Sequence, residues 1–227
     1  MATGKRAENR AAMTARIREL GREHLSTHGA AGLSLRAIAR DMGVVSSAVY
    51  RYVPSRDDLL TLLLVEAYND LGDAVDRAMA ASTPPRQQVH DAALAMRQWA
   101  VDDPARWALL YGSPVPGYDA PAEQTVGPGT RVVGALLRRL DAAHRAGALR
   151  ELPDPGAPLD GDLSAVATEF GLTLPPGAVH GATMLWSTIV GAVSLEVFGQ
   201  LGPDSFPHRE EFFDGQVELA LDALFSA

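Results

Sequence analysis

The 227-residue chain contains no cysteine, so disulfides, thiolate metal sites and cysteine nucleophiles are excluded together. Its N-terminus has no apolar run behind the basic residues and does not read as a secretory signal. The longest apolar segment, Gly177 to Leu201, is interrupted by His180, Ser187, Ser194 and Glu196 and falls short of a membrane span. A soluble cytoplasmic protein with no membrane partner is expected. Strand-like alternation, internal repeats and low-complexity tracts are also missing. So are the G-x-S-x-G elbow, the H-E-x-x-H helix and the P-loop. Gly127-Pro128-Gly129 begins like a dinucleotide fingerprint but has neither the third glycine nor a preceding strand. The six histidines are dispersed and none pairs at metal-ligand spacing. His90, His144 and His208 read as surface residues. No catalytic residue, metal or cofactor is expected.

What the chain does have is charge asymmetry. Its net charge of −8 is an average over two unlike parts. Met1 to Arg56 holds ten Lys and Arg against four Asp and Glu, a balance of +6. The remainder holds ten against twenty-four, a balance of −14. A polyanion would meet the N-terminal part favourably and be repelled elsewhere.

The periodicity is helical almost throughout. A first helix from about Asn9 to His28 aligns Met13, Ile17, Leu20 and His24, and Gly29 stops it. Residues 1–9, with Lys5 and Arg6, read as a flexible tail or a DNA-tracking arm. Ser34 to Val53, SLRAIARDMGVVSSAVYRYV, has the spacing of two short helices meeting across a tight turn. Ala39 is small enough for a close crossing, and Gly43 permits positive φ. Leu35, Ile38, Val44 and Val49 supply the apolar contacts. This is helix-turn-helix spacing, whose second helix can enter a DNA major groove.

A fourth helix begins at Ser55, where Ser55-Arg-Asp-Asp58 fits a capping box. Its apolar stripe is Leu60, Leu64, Tyr68, Leu71, Val75 and Met79. From Ser55 to Ala80 it would span roughly 35–40 Å, enough to link two modules. Further helices are expected near Arg86–Asp102, Pro104–Tyr111, Thr130–Arg145, Gly161–Phe170, Gly177–Gln200 and His208–Phe225. The Pro- and Gly-rich loops are Gly112 to Pro121, Gly127 to Gly129 and Leu152 to Pro158.

The expected fold is all-α. Residues 1–54 form a three-helix helix-turn-helix domain, and residues 55–227 form a larger helical domain for ligand binding and dimerisation. The helix from Gly177 is apolar on most of its circumference and needs cover nearly all round. With the last helix, which aligns Phe213, Val217, Leu221 and Leu224, it either packs inside one chain or pairs with a second copy. Homodimerisation through helices near 177–200 and 208–225 is the reading taken.

These residues resemble the DNA-binding domain of the TetR (tetracycline-repressor) family of transcriptional regulators over roughly Arg10 to Tyr68. The resemblance runs through Gly32-Leu-Ser34-Leu-Arg36-Ala-Ile38-Ala39, Met42-Gly43-Val44, Val49-Tyr50-Arg51-Tyr52-Val53 and Ser55-Arg56-Asp57-Asp58-Leu59-Leu60. It departs from the family pattern at Val45, where a capping Ser or Thr is usual, at Val53, often Phe, and at Arg56, usually Lys. The first departure leaves Ser46 as the cap of the recognition helix. Tyr111-Gly-Ser-Pro-Val-Pro-Gly-Tyr118 resembles an actinobacterial subgroup that often carries Trp-x-x-x-His-Gly in its penultimate helix. Trp186-Ser-Thr-Ile-Val190-Gly191 lacks that histidine, so no role is carried over from it.

The candidate DNA-binding residues are Ser34, Arg36, Ser46, Ser47, Tyr50, Arg51, Tyr52 and Arg56. Ser46 and Ser47 can reach phosphates or base edges. Arg51 can reach a guanine edge or the backbone. Tyr52 can bond phosphate through its hydroxyl, while Tyr50 is either such a contact or a core wedge with a wet hydroxyl. Candidate effector-pocket residues are Met96, Trp99, Trp107, Tyr111, Phe170, His180, Met184 and Trp186, residue types that taken singly are more often core than pocket. Glu196 anchors a cationic ligand, makes a dimer contact, or reaches solvent.

What this implies is a ligand-responsive regulator, a homodimeric repressor released from a palindromic double-stranded DNA operator by a small, largely apolar effector. The alternatives are an activator of the same family, an all-helical enzyme or carrier without DNA binding, and a protein-binding adaptor.

Overall fold

A computed structural model describes the backbone of residues 2–226 and the side chains of residues 7–226. The helices are α1 (Ala2–His28), α2 (Leu35–Asp41), α3 (Ser46–Tyr50), α4 (Arg56–Met79), α5 (Pro85–Asp102), α6 (Pro104–Tyr111), α7 (Ala122–Arg145), α8 (Ala157–Glu169), α9 (Pro176–Val197) and α10 (Arg209–Leu224). A 3-10 turn covers Ala30–Gly32. Among the described residues there is no strand, only one antiparallel bridge between Leu149 and Phe225.

Three helix starts differ from the sequence expectation. α1 is helical from Ala2 rather than from about Asn9, in keeping with the helix-favouring Ala and Arg residues of that stretch. The side chains of Lys5 and Arg6 lie outside the described residues. α7 starts at Ala122 and takes Gly127-Pro128-Gly129 into its body. Pro128 there removes one backbone donor without ending the helix. α8 starts four residues before Gly161, with Pro158 in the first turn where a missing N–H costs nothing.

Contacts divide the chain into two compact units, Met1–Asn69 with Asp103–Gly129, and Asp70–Asp102 with Thr130–Ala227. The division of contacts falls inside α4, whose Leu59, Leu60 and Leu63 belong to the same core as the helix-turn-helix. In the first unit they pack with Ile17, Leu20, Leu35, Ile38, Ala39, Val49 and Val53, all essentially buried. A Cβ on Gly21 would meet Leu59 and Leu63 at 3.3 Å, so glycine is what lets α1 lie this close to α4. Arg18 and Arg22 of α1 both pair with Glu66 of α4. α6 packs on α1 in the same unit.

In the second unit α9 is the central element, packing on α10, α8 and α5. Its buried stripe is Ala178, Val179, Ala182, Leu185, Ile189 and Val193. By length and composition α9 could cross a membrane, its mean hydropathy reaching 1.3, but a core helix meets the same test and it is not a convincing span. His90 corrects a sequence reading. It is only 12% exposed, and its Nε2 lies 2.7 Å from Asp214 Oδ1, because α5 packs its His90 face against α10.

Asp141 of α7 is buried, and its Oδ1 accepts from both the N–H and the hydroxyl of Thr173 at 2.7 Å. Burial alone would push this carboxyl up. The bonds from Thr173 and the charges of Arg145 and His144 outweigh burial and hold it below its ordinary value of 3.8. A depressed carboxyl contributes stability that is present above the ordinary value and lost as pH falls through the folded one. Asp141→Asn should therefore be less stable by about 1–2 kcal/mol at neutral pH. In urea melts at descending pH, the gap between the two proteins should close only below the ordinary aspartate range. A gap that stays constant from neutral pH into that acid range would refute the assignment.

Candidate nucleic-acid interface

α2 begins because Ser34, in extended conformation, accepts the Ala37 N–H on its Oγ at 3.4 Å. It ends in a Schellman closure. The Gly43 N–H donates to Arg40 O and the Val44 N–H to Ala39 O, both at 3.0 Å. Gly43 holds φ at 67°, and no atom lies within 4 Å of where its Cβ would be. The glycine is required by backbone conformation and not by crowding. Val45, extended, then leads directly into α3.

Val45 itself is the N-cap, with no side-chain bond, and Ser46 is the first helical residue. This corrects the expectation that Ser46 caps α3. The reason lies in the turn: with Val44 fixed to Ala39, the extended residue preceding the helix is Val45. α3 is therefore one short helix of five residues. Its inward residue, Val49, is fully buried in the same core cluster as Ile38 and Ala39.

The outward side of the same region carries Arg36, Ser47, Tyr50 and Arg51, all exposed. Tyr50 is 40% exposed, so its ring is no core wedge. Arg40 is also exposed. The adjacent acid, Asp41, is itself exposed and shared, its Oδ2 2.7 Å from His24 Nε2 and its Oδ1 3.7 Å from Arg40 Nε. The face around α3 thus carries guanidinium and hydroxyl groups, which suits phosphate and base-edge contact.

Not every predicted residue stands free. Arg56 is folded back, its Nη2 donating to the carbonyls of Ala30 at 2.9 Å and Ala31 at 3.1 Å. It ties the start of α4 to the 3-10 turn. At that start the Ser55 hydroxyl accepts the Asp58 N–H at 3.0 Å and donates to the Asp58 carboxylate at 2.7 Å. Ser34 is occupied as a cap, and Ser46 is half-buried. Tyr52 is half-buried against the core, and Arg10 of α1 lies over its ring at 5.6 Å.

Sequence reasoning missed Arg10, since nothing local joins residues 42 positions apart. It also missed Val45 as a surface residue. At 70% exposure beside Ser47, Val45 presents an apolar group of the kind that meets a thymine methyl. Its high hydrophobicity against an exposed cap position was the available signal.

The eight effector candidates do not converge on one cavity. Trp107 and Tyr111 belong to the first unit, with ring centroids 4.4 Å apart. Trp107 is fully buried. Burial, with Tyr68 close by, pushes the Tyr111 phenol up, so it stays protonated. In the second unit Met96 is fully buried and Trp99 half-buried. Phe170 and Trp186 line a cavity of about 180 Å³ formed by α7, α8 and α9. His180 and Met184 line a separate groove of about 380 Å³ with Leu152 and Leu224. Glu196 is held by Arg97 of the same chain. Nε and Nη2 donate to its two oxygens at 2.8 and 2.7 Å, which replaces the three sequence readings of Glu196.

Residues 17–63 match the family described as "Bacterial regulatory proteins, tetR family", and residues 89–220 match "Tetracyclin repressor-like, C-terminal domain". The HTH-type transcriptional regulator Rv1816 of Mycobacterium tuberculosis (strain ATCC 25618 / H37Rv) is 51% identical over 224 residues, covering 97% of this chain and 96% of that protein. The HTH-type transcriptional regulator Mb1846 of Mycobacterium bovis (strain ATCC BAA-935 / AF2122/97) is similar to the same extent, with 51% identity over 97% of this chain and 96% of its own. Among solved structures, the crystal structure of SCO4313 superposes with a TM-score of 0.79 at 30% identity, covering 95% of this chain and 98% of that one.

Proposed function

The chain belongs to the tetR family of bacterial regulatory proteins, and from that membership we propose a homodimeric repressor released from a palindromic operator by a small, largely apolar effector. Like its relatives it is a DNA-binding transcriptional regulator and not an enzyme. The observation that carries the DNA reading is the two-sided α3. Val49 is locked in the core, while Ser47, Tyr50 and Arg51 stand exposed on the opposite side.

Dimerisation is supported by what α9 leaves uncovered. Only six of its residues are buried in one chain, although the helix is apolar nearly all round. Met184 and Leu195 on α9 and Leu219 on α10 stand 40% or more exposed. Gly191, between them on the α9 stripe, has open space around it, where a partner helix could approach closely. A second copy bringing the same stripe would make an isologous interface. Residues 1–54 would remain the DNA-reading module and residues 55–227 the sensing and pairing one. The effector shifts DNA affinity only by its preference for the conformation in which the recognition helices are misplaced. For a full switch that preference is roughly 5 kcal/mol. The route proposed is α4, one continuous helix shared by both units.

The test is a gel shift and footprint on the DNA flanking the protein's own gene. Tyr52→Ala should weaken binding to every sequence alike. Arg51→Ala should cost about 1–3 kcal/mol, either uniformly or by relaxing one operator position. Affinity should fall steeply with salt as phosphate contacts release counterions. Unchanged affinity in both variants would sink the assignment of this face.

A further inference from the structure

The cavity between α7, α8 and α9 has a definite size and chemistry. Its volume is about 180 Å³, and Leu136, Val166, Phe170, Ala182 and Trp186 are among its walls. No ionisable side chain lines it. The single hydroxyl present, on Thr183 at the exposed side of the cavity, donates its proton to the Val179 carbonyl at 3.0 Å, which leaves its lone pairs to accept. A charged guest would lose its hydration without a partner. An apolar cavity of about 150 Å³ is known to take up benzene, so this volume fits one ring and not two.

The wall supplied by α8 is built to give way. Of its thirteen residues only Ala167 is fully buried. Glycines in left-handed conformation bound it on both sides, Gly156 at φ 91° and Gly171 at φ 66°. Beyond Gly171 the chain is fixed, since Thr173 is bonded to the buried Asp141 of α7. The Phe170 ring packs on α7 where Gly134 has no side chain, a Cβ there falling 2.9 Å from the ring. Val166 and Phe170 thus form the cavity wall from a thinly anchored helix with one fixed end.

We propose that this cavity binds a neutral molecule with a single aromatic ring and at most one hydroxyl, donated to Thr183, and that α8 moves to admit it. The proposal rests on the reading of the chain as responsive to a small apolar effector. Nothing about the DNA face is needed for the binding itself.

Phenol and benzene are the probes, titrated by calorimetry and by melting temperature into the full chain. The wild type should bind one molecule per chain, saturably, with a rise in melting temperature. Ala182→Leu fills the space and should weaken binding at least tenfold while operator affinity is unchanged. Should that variant fail to fold, Phe170→Ala enlarges the cavity instead and should gain binding of naphthalene, which the wild type refuses. Absence of saturable binding to the wild type, or equal binding to Ala182→Leu, would overturn the site. Phenol that binds but leaves operator affinity untouched overturns the effector reading and supports the site. Operator release in Ala182→Leu by a compound as effective on the wild type supports the effector reading and overturns the site.

Discussion

On the proposed pairing through α9 and α10, Leu219→Lys should leave a monomer in light scattering at micromolar concentration and lower operator affinity roughly 10²–10⁴-fold. Leu219 is 73% exposed, and the face of α10 that builds the core is formed by Phe213, Val217, Leu221 and Leu224 instead. A lysine at 219 therefore costs the single chain almost nothing, and helical content and melting of the monomer should be retained. In a two-fold interface each substitution appears twice, so two ammonium groups enter an apolar contact without partners. Removing an apolar anchor at an interface centre costs about 2 kcal/mol or more, and burying an unpaired charge adds to it. The affinity loss follows from tethering. One recognition helix on one half-site is weak, and a linked second site gains about 10²–10⁴-fold from effective concentration alone. If Leu219→Lys scattered as a dimer with its operator affinity intact, the pairing surface would have to lie elsewhere than on α9 and α10.

The local parts of this molecule were legible in the sequence because their causes are local. Leu35, Ala39, Gly43 and Val49 each occupy the place their residue type requires. Three are core positions and one is a left-handed turn. The Ser55 box forms over three residues, and sequence spacing is sufficient to see it. α7 shows the opposite. Gly127-Pro-Gly129 has the composition of a loop, yet it lies within a helix carrying a buried face at Val132, Leu136 and Leu140. Tertiary packing there overrides propensity. Contacts to a distant partner are what sequence spacing does not show. Arg56, a phosphate candidate by sequence, is also tied to carbonyls 25 and 26 residues away. His90 was read as surface and faces Asp214, 124 residues on. The aromatic effector candidates scatter because periodicity ranks burial and says nothing about where space is left.

The Arg97–Glu196 pair has the largest consequence for stability. The two side chains are 10% and 9% exposed and meet in a bidentate fork between α5 and α9. Glu196→Ala leaves a guanidinium buried, with Glu210, itself exposed, as its remaining acid among the described residues, at 3.8 Å. That should cost about 3–5 kcal/mol, because desolvation of Arg97 is no longer compensated. For a chain of this size the melting temperature should fall by roughly 10 °C or more. Arg97→Met should cost a comparable amount by stranding the carboxylate. The double variant Arg97→Met/Glu196→Leu should recover most of either loss, since two apolar side chains pay no desolvation. A double-mutant cycle by urea melts reads this directly as a large coupling term. Single losses below about 1 kcal/mol that simply add would show that water reaches the pair and that it behaves as a surface contact. Recovery in the double variant would instead place the role of the pair in orientation. A fork accepts one register of α9 on α5, which two aliphatic chains do not enforce. The same double variant should then keep its stability while losing a uniform response of operator binding to effector.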